Sequence, residues 1–152
     1  MKQHLEKWRE VEARLVQKHA PFNVFALFLY EDIHRANQWE VVMAAPWLNR
    51  RLSFLREVDS VIKEVFEVTV PTDQNLAATY HTAFVGSILY DISRLNIIDM
   101  HHPDLPALLE LATQEKHDAK GVLELRHCHL LGQDVAHAFI LSAHSVAQLV
   151  SK

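Results

Sequence analysis

Glycine is nearly absent from this chain, with 3 residues in 152, against an average near 7%. Loops that cradle phosphates need glycine where the backbone approaches the ligand, and neither GxGxxG nor GxxxxGK(S/T) occurs. A nucleotide-binding fold of those kinds is not expected. Cysteine is reduced to Cys128, which excludes an internal disulfide and fits a reducing compartment. Long apolar runs are missing too. The longest, VFALFLY at 24–30, is far short of the ~20 residues of a membrane-spanning helix. The opening MKQHLEKWREVEARL carries charges where the apolar core of a secretory leader would lie. The expectation is a cytoplasmic protein without a membrane partner. Net positive charge is also lacking. The formal charge is -4, so no nucleic-acid partner is expected. The first 20 residues do carry five Lys/Arg against three Glu, which reads as a solvated helix face.

What is present is ordinary globular material with one excess. Hydrophobic residues make up 49% and charged residues 22%. A chain of this length buries roughly 70% of its unfolded surface, so one domain over 1–152 needs neither metal nor disulfide to fold. The excess is 11 histidines, the side chain of metal sites, proton transfer and pH switching.

Residues 2–19 keep a helical rhythm through Leu5, Trp8, Val11, Leu15 and Val16, with Glu12 outside the stripe. FNVFALFLY (22–30) and QWEVVMAA (38–45) are short apolar runs that read as strands paired in a long-looped hairpin. Trp39 and Trp47 bracket the second run and read as core, or as anchors for a partner. From Pro46 onward, Leu48, Leu52, Leu55, Val58, Ile62, Val65 and Phe66 form one stripe, with Lys63 off it. Residues 74–92 fit helix or strand, and helix is taken for the first half. Residues 93–99 read as a strand. Asp104 then caps a helix whose last turn holds Lys116 and His117 and which stops at Gly121. GVLELRHCHL and DVAHAFILS flank LGQD as a further hairpin, and a short helix closes the chain. The sum is an α/β fold, a mixed α+β sandwich with one sheet of about five strands and helices packed on it. The alternative is an all-α bundle, which the stripes at 2–19 and 47–66 would suit.

Two groups of residues carry possible chemistry. In HCHLLGQDVAHAF (127–139), a hairpin turning at Gly132-Gln133 puts His127 and His129 on one face. Cys128 and His137 fall opposite each other on the other, His137 being the one base within reach of the thiol. In DMHHPD, Asp99, His101, His102 and Asp104 follow a strand, a place where α/β proteins often keep their chemistry. His101, His102, Asp104, His127 and His129 are therefore the candidate ligands of a divalent metal ion. They can converge only if the strands at 93–99 and 122–130 are neighbours. The pair Arg94 and His101 is similar in residue types to the Arg/His motif of HEPN-type ribonucleases. That motif belongs on a helix, and 93–99 reads as a strand, so no family is assigned. No serine lies in a GxSxG context.

Three functions are compatible with these residues. The first is a non-catalytic accessory or regulatory protein that contacts another protein or itself as a homo-oligomer. The second is a metal-dependent hydrolase or metal-binding protein in which a bound ion acidifies a water. The third is a pH-responsive module whose histidines titrate between roughly pH 5 and 7.

Overall fold

In Val24–Tyr30 nearly every side chain is buried, and this segment is the middle strand of a five-stranded sheet. The computed structural model describes residues 2–31, 39–48, 51–66, 92–115, 117–118 and 120–144, with backbone alone at 92–94. A 3₁₀ turn at Lys2–His4 leads into α1 (Leu5–Lys18). There follow β1 (Val24–Tyr30), β2 (Trp39–Ala44), α2 (Leu52–Phe66), β3 (Ile92–Ile97), α3 (Leu105–Gln114), β4 (Leu123–Leu130) and β5 (Gln133–Ala143). The sheet order is β3-β2-β1-β5-β4. β2 and β3 run parallel, and every other neighbouring pair is antiparallel. This is an α/β fold and not an all-α bundle. No helix of the described residues is long and apolar enough to cross a membrane.

Alternation along the strands divides the core into two layers. Phe25, Leu27, Trp39, Val41, Met43 and Phe139 pack with Trp8, Val11 and Leu15 of α1 and with Phe54, Val58 and Ile62 of α2. Val24, Ala26, Phe28, Val42, Ala138 and Ile140 pack with Leu105, Leu108 and Ala112 of α3. A strand buried on both faces reads as a continuous apolar run, as β1 does. Each large side chain so buried contributes roughly 1.5–3 kcal/mol.

The helices differ from their sequence reading in detail. Glu12 is not outside the stripe of α1. It lies one turn after Trp8, on the same side, and is only 8% exposed. Ser142 Oγ donates to its carboxylate, and burial pushes its pKa up. In α2 the stripe holds at Val58, Ile62, Val65 and Phe66 but not at Leu52, which is 60% exposed, while Phe54 and Lys63 are buried beside it. Lys63 is neutralised by Asp59, four residues earlier. α3 ends at Gln114 and not at Gly121, because the backbone turns extended at Glu115. Trp39 and Trp47 both serve packing. Trp39 stacks on Phe139, and Trp47 lies flat on His19 with ring centroids 5.0 Å apart. The readings at 74–91 and after 144 lie outside the described residues.

The β4–β5 turn falls one residue earlier than expected. Leu130 pairs with Gln133, and the two turn residues are Leu131 and Gly132. Their φ angles are 53° and 78°, as a two-residue I′ hairpin requires. A Cβ at Gly132 would lie 3.3 Å from Asp104 Oδ2. Gly132→Ala is expected to cost about 1–2 kcal/mol, from the left-handed backbone and this tight contact, measured by urea unfolding. Glu12 gives a prediction of opposite sign. A carboxyl whose pKa is raised by folding opposes folding once it ionises, above about pH 4. Glu12→Gln should therefore raise Tm at pH 7, with a difference that narrows toward pH 4.

Candidate functional site

β2 and β3 are the one parallel pair in the sheet, and a cleft of about 570 Å³ opens beyond their carboxyl ends. In open α/β sheets this is a common place for a ligand. Among the described residues its lining comprises Ala45, Pro46, Leu48, Ile97, Ile98, Asp99, Met100 and His101. Most of the lining residues have apolar side chains, while polar atoms make up about half of the exposed lining surface. Asp99 and His101 supply the polar part, and a backbone bond orders them. The His101 N–H donates to Asp99 Oδ1 at 2.7 Å, and the His102 N–H to the Asp99 carbonyl at 2.9 Å.

The five candidate metal ligands do not meet in one place. β3 and β4 are the outermost strands on opposite sides of the sheet, separated by four strand spacings, roughly 19 Å. The condition for DMHHPD and the HxH pair to converge is therefore not met. The side chains of three of them, His102, His127 and His129, have hydrogen-bond partners elsewhere. His101 lies in the turn at the cleft. His102 Nδ1 accepts the Asp104 N–H at 3.0 Å. Asp104 sits at the N-cap position of α3 without a side-chain cap bond, its carboxylate facing the hairpin turn. His127 Nδ1 is 2.8 Å from Glu31 Oε1, and His129 Nδ1 is 3.0 Å from Asp134 Oδ1. Among the described residues no three His, Cys, Asp or Glu side chains are grouped to hold a metal ion.

The hairpin also differs in its faces. Cys128 pairs with Val135, His129 with Asp134 and Arg126 with His137, so Cys128 is not opposite His137. The backbone of His127 has φ 50°, which breaks the even alternation on which a shared His127/His129 face depended. Leu125 and Cys128, three residues apart, both pack into the α3 layer. His137 belongs to the other layer, its ring 4.5 Å from Phe139 and 5.4 Å from Trp39. Its Nε2 is 2.7 Å from Glu124 Oε2. Among the described residues no imidazole is paired with Cys128, and burial, together with the nearby Glu31 charge, pushes its thiol pKa up. A reactive cysteine needs the opposite shift. Arg94 stands on β3, in register with Glu40, and not on a helix as the ribonuclease motif requires.

Sequence reasoning passed over Glu40, the second residue of β2, which is only 1% exposed. Tyr30 Oη donates to its Oε1 at 2.9 Å, and Asn96 Nδ2 donates to the same oxygen. A buried carboxylate must be hydrogen-bonded in this way or it opposes folding strongly. The signal was legible: one charged residue inside QWEVVMAA. Tyr30 and Asn96 could not be paired with it before strand order was known.

No protein family, curated protein or solved structure matches this chain.

Two predictions follow the hairpin geometry. If His127 is kept for its backbone, His127→Gly should preserve stability, while His127→Val, which resists positive φ, should lose about 1–2 kcal/mol in urea unfolding. Glu124 carries the second. The hydrogen bond with His137, aided by the charges of Lys2 and Arg126, holds its pKa below the usual carboxylate range. A lowered carboxylate pKa stabilises the fold above the unfolded value near pH 4, and the gain disappears as pH falls through the folded value. Glu124→Gln should lower the urea midpoint at pH 7, with the difference from wild type closing below pH 4.

Proposed function

We propose that this chain is a small accessory or regulatory protein that acts by holding another polypeptide and carries out no catalysis. The observation that supports it best is the cleft beyond β2 and β3. Its apolar walls are Pro46, Leu48, Ile98 and Met100, and its polar part is Asp99 and His101. Protein contacts likewise combine apolar surface with polar groups. Leu52 is the large apolar side chain left exposed among the described residues. A fitting partner segment would place an apolar anchor in the cleft and a hydrogen-bond donor or cation toward Asp99. The partner is another protein or a second copy of this chain, and a cytoplasmic setting with one free thiol belongs to the same reading.

The test is a Leu48→Asp/Met100→Glu variant, checked for native circular dichroism, used beside wild type in quantitative capture and in light scattering. Proteins or self-association found with wild type should be lost with the variant, and Tm should change little. Retention of the same partners would overturn the proposal. So would near-stoichiometric zinc, manganese or iron in the purified protein that disappears in His127→Ala/His129→Ala, measured by elemental mass spectrometry.

A further inference from the structure

A second cleft, of about 470 Å³, lies between the amino end of α1 and the 118–122 turn. Its charged lining is Lys2, Lys7, Arg9 and Lys120 against Glu6 and Asp118. That is a local excess of cations in a chain whose formal charge is -4. The placement is electrostatically adverse. The amino end of a helix already bears partial positive charge, and carboxylates, not cations, stabilise it. Here the 3₁₀ turn and the first turns of α1 bring Lys2, Lys7 and Arg9, with Glu6 as the acidic residue of the first turn.

The carboxylates nearby are already committed. Glu6 pairs with the Lys120 ammonium, which pulls its pKa down. Asp118 accepts the Val122 and Lys120 backbone N–H groups at 2.9 and 2.8 Å, and those bonds, the Val122 one foremost, lower its pKa. Lys2 reaches outward to Glu124 at 3.5 Å, and Lys7 rests over the Phe66 ring at 5.6 Å. Arg9 Nη2 donates to the Lys120 carbonyl, while its Nε is buried with no partner. An orphaned guanidinium N–H costs stability. Glu6 and Asp118 answer only part of the charge of the four cations that line the cleft.

We propose that this cleft binds the phosphoryl group of a small ligand, with Lys7, Arg9 and Lys120 as its cationic contacts and the amino end of α1 as a further source of positive potential. The phosphoryl group can come from a soluble phosphate ester or from a phospholipid headgroup, since the chemistry is shared.

Inorganic phosphate and then pyrophosphate would be titrated into the full chain at constant low ionic strength, with chloride as the control. Amide resonances are followed by NMR. Saturable shifts confined to residues 2–9 and 118–122 are expected, together with a rise in Tm. Lys7→Gln/Lys120→Gln should raise the half-saturating concentration about tenfold or more, the scale of losing roughly 1.4 kcal/mol. Lys18→Gln, a cation at the far end of α1 paired with Glu57, should leave it unchanged. Amide spectra of each variant show whether it is folded. Phosphatidylcholine vesicles with and without phosphatidic acid separate the two sources. Co-sedimentation that depends on phosphatidic acid and on Lys7 and Lys120 assigns the headgroup, and its absence beside a saturable phosphate response assigns the soluble ester. Shifts that do not saturate, that spread over the whole surface, or that survive in Lys7→Gln/Lys120→Gln overturn the proposal.

Discussion

From Val24↔Ala143 to Tyr30↔Val135, β1 and β5 exchange the backbone hydrogen bonds that join two otherwise separate hairpins into one sheet. Two-stranded hairpins are marginal alone. Joined, β1–β2 and β4–β5 gain two continuous faces, and those faces are what α1, α2 and α3 cover. The pairing is not regular. Its register shifts between Phe25 and Ala26 and again between Leu29 and Tyr30. Each irregularity bends β5 and changes which side chains reach which layer. On β4, the left-handed backbone at His127 makes the matching adjustment. Cys128 enters the α3 layer while His137 turns toward Trp39 and Phe139. The placement of every candidate residue in the hairpin depends on this one strand pair.

The same sheet places polar groups inside the protein, where each needs an answer. Glu40 is answered by Tyr30 from β1 and Asn96 from β3, the two strands that flank it. Asn23, just before β1, donates its side-chain amide to the His144 carbonyl at 2.7 Å and so ties the end of β5 to the start of β1. Glu12 is met by Ser142 across the helix–sheet interface. These bonds contribute little net energy each, but breaking one partner leaves a buried polar group alone. They fix register more than they add stability. The histidines play a comparable part at the surface. His19, His127, His129 and His137 each face one carboxylate. For Glu57, burial pushes the pKa up, but hydrogen bonds from Lys18 and His19 outweigh it and leave it lowered. The acid sensitivity of such carboxylates lies at lower pH than the window expected from imidazoles alone.

Much of the architecture was legible because periodicity reports it directly. VFALFLY and WEVVMA alternate between two buried layers, and Trp8, Val11 and Leu15 recur every three or four residues. The cleft at Asp99 and His101 was half legible, since a strand followed by DMHHPD points to a loop at a strand's end. Three of the differences share one cause. Glu12, Lys63 and Glu40 are charged, so sequence places them in water, yet each has a neighbour that makes burial tolerable. Asp59 lies on the same helix as Lys63 and could have been found from its spacing. Ser142 and Asn96 could not, being 130 and 56 residues away from their partners.

By itself the sequence determined that the chain folds without disulfides, that strands and helices alternate in this order, and that two hairpins form. Those outcomes rest on local chemistry: apolar period, turn residues, and the scarcity of cysteine and glycine. Which strands lie side by side was decided only in the tertiary structure, because strand order depends on how whole layers bury one another and no short window records that. It put β3 and β4 on opposite edges and thereby parted the histidines that had looked like one site. It also brought Lys120 back against the amino end of α1, giving the early cations of the chain a cleft to line.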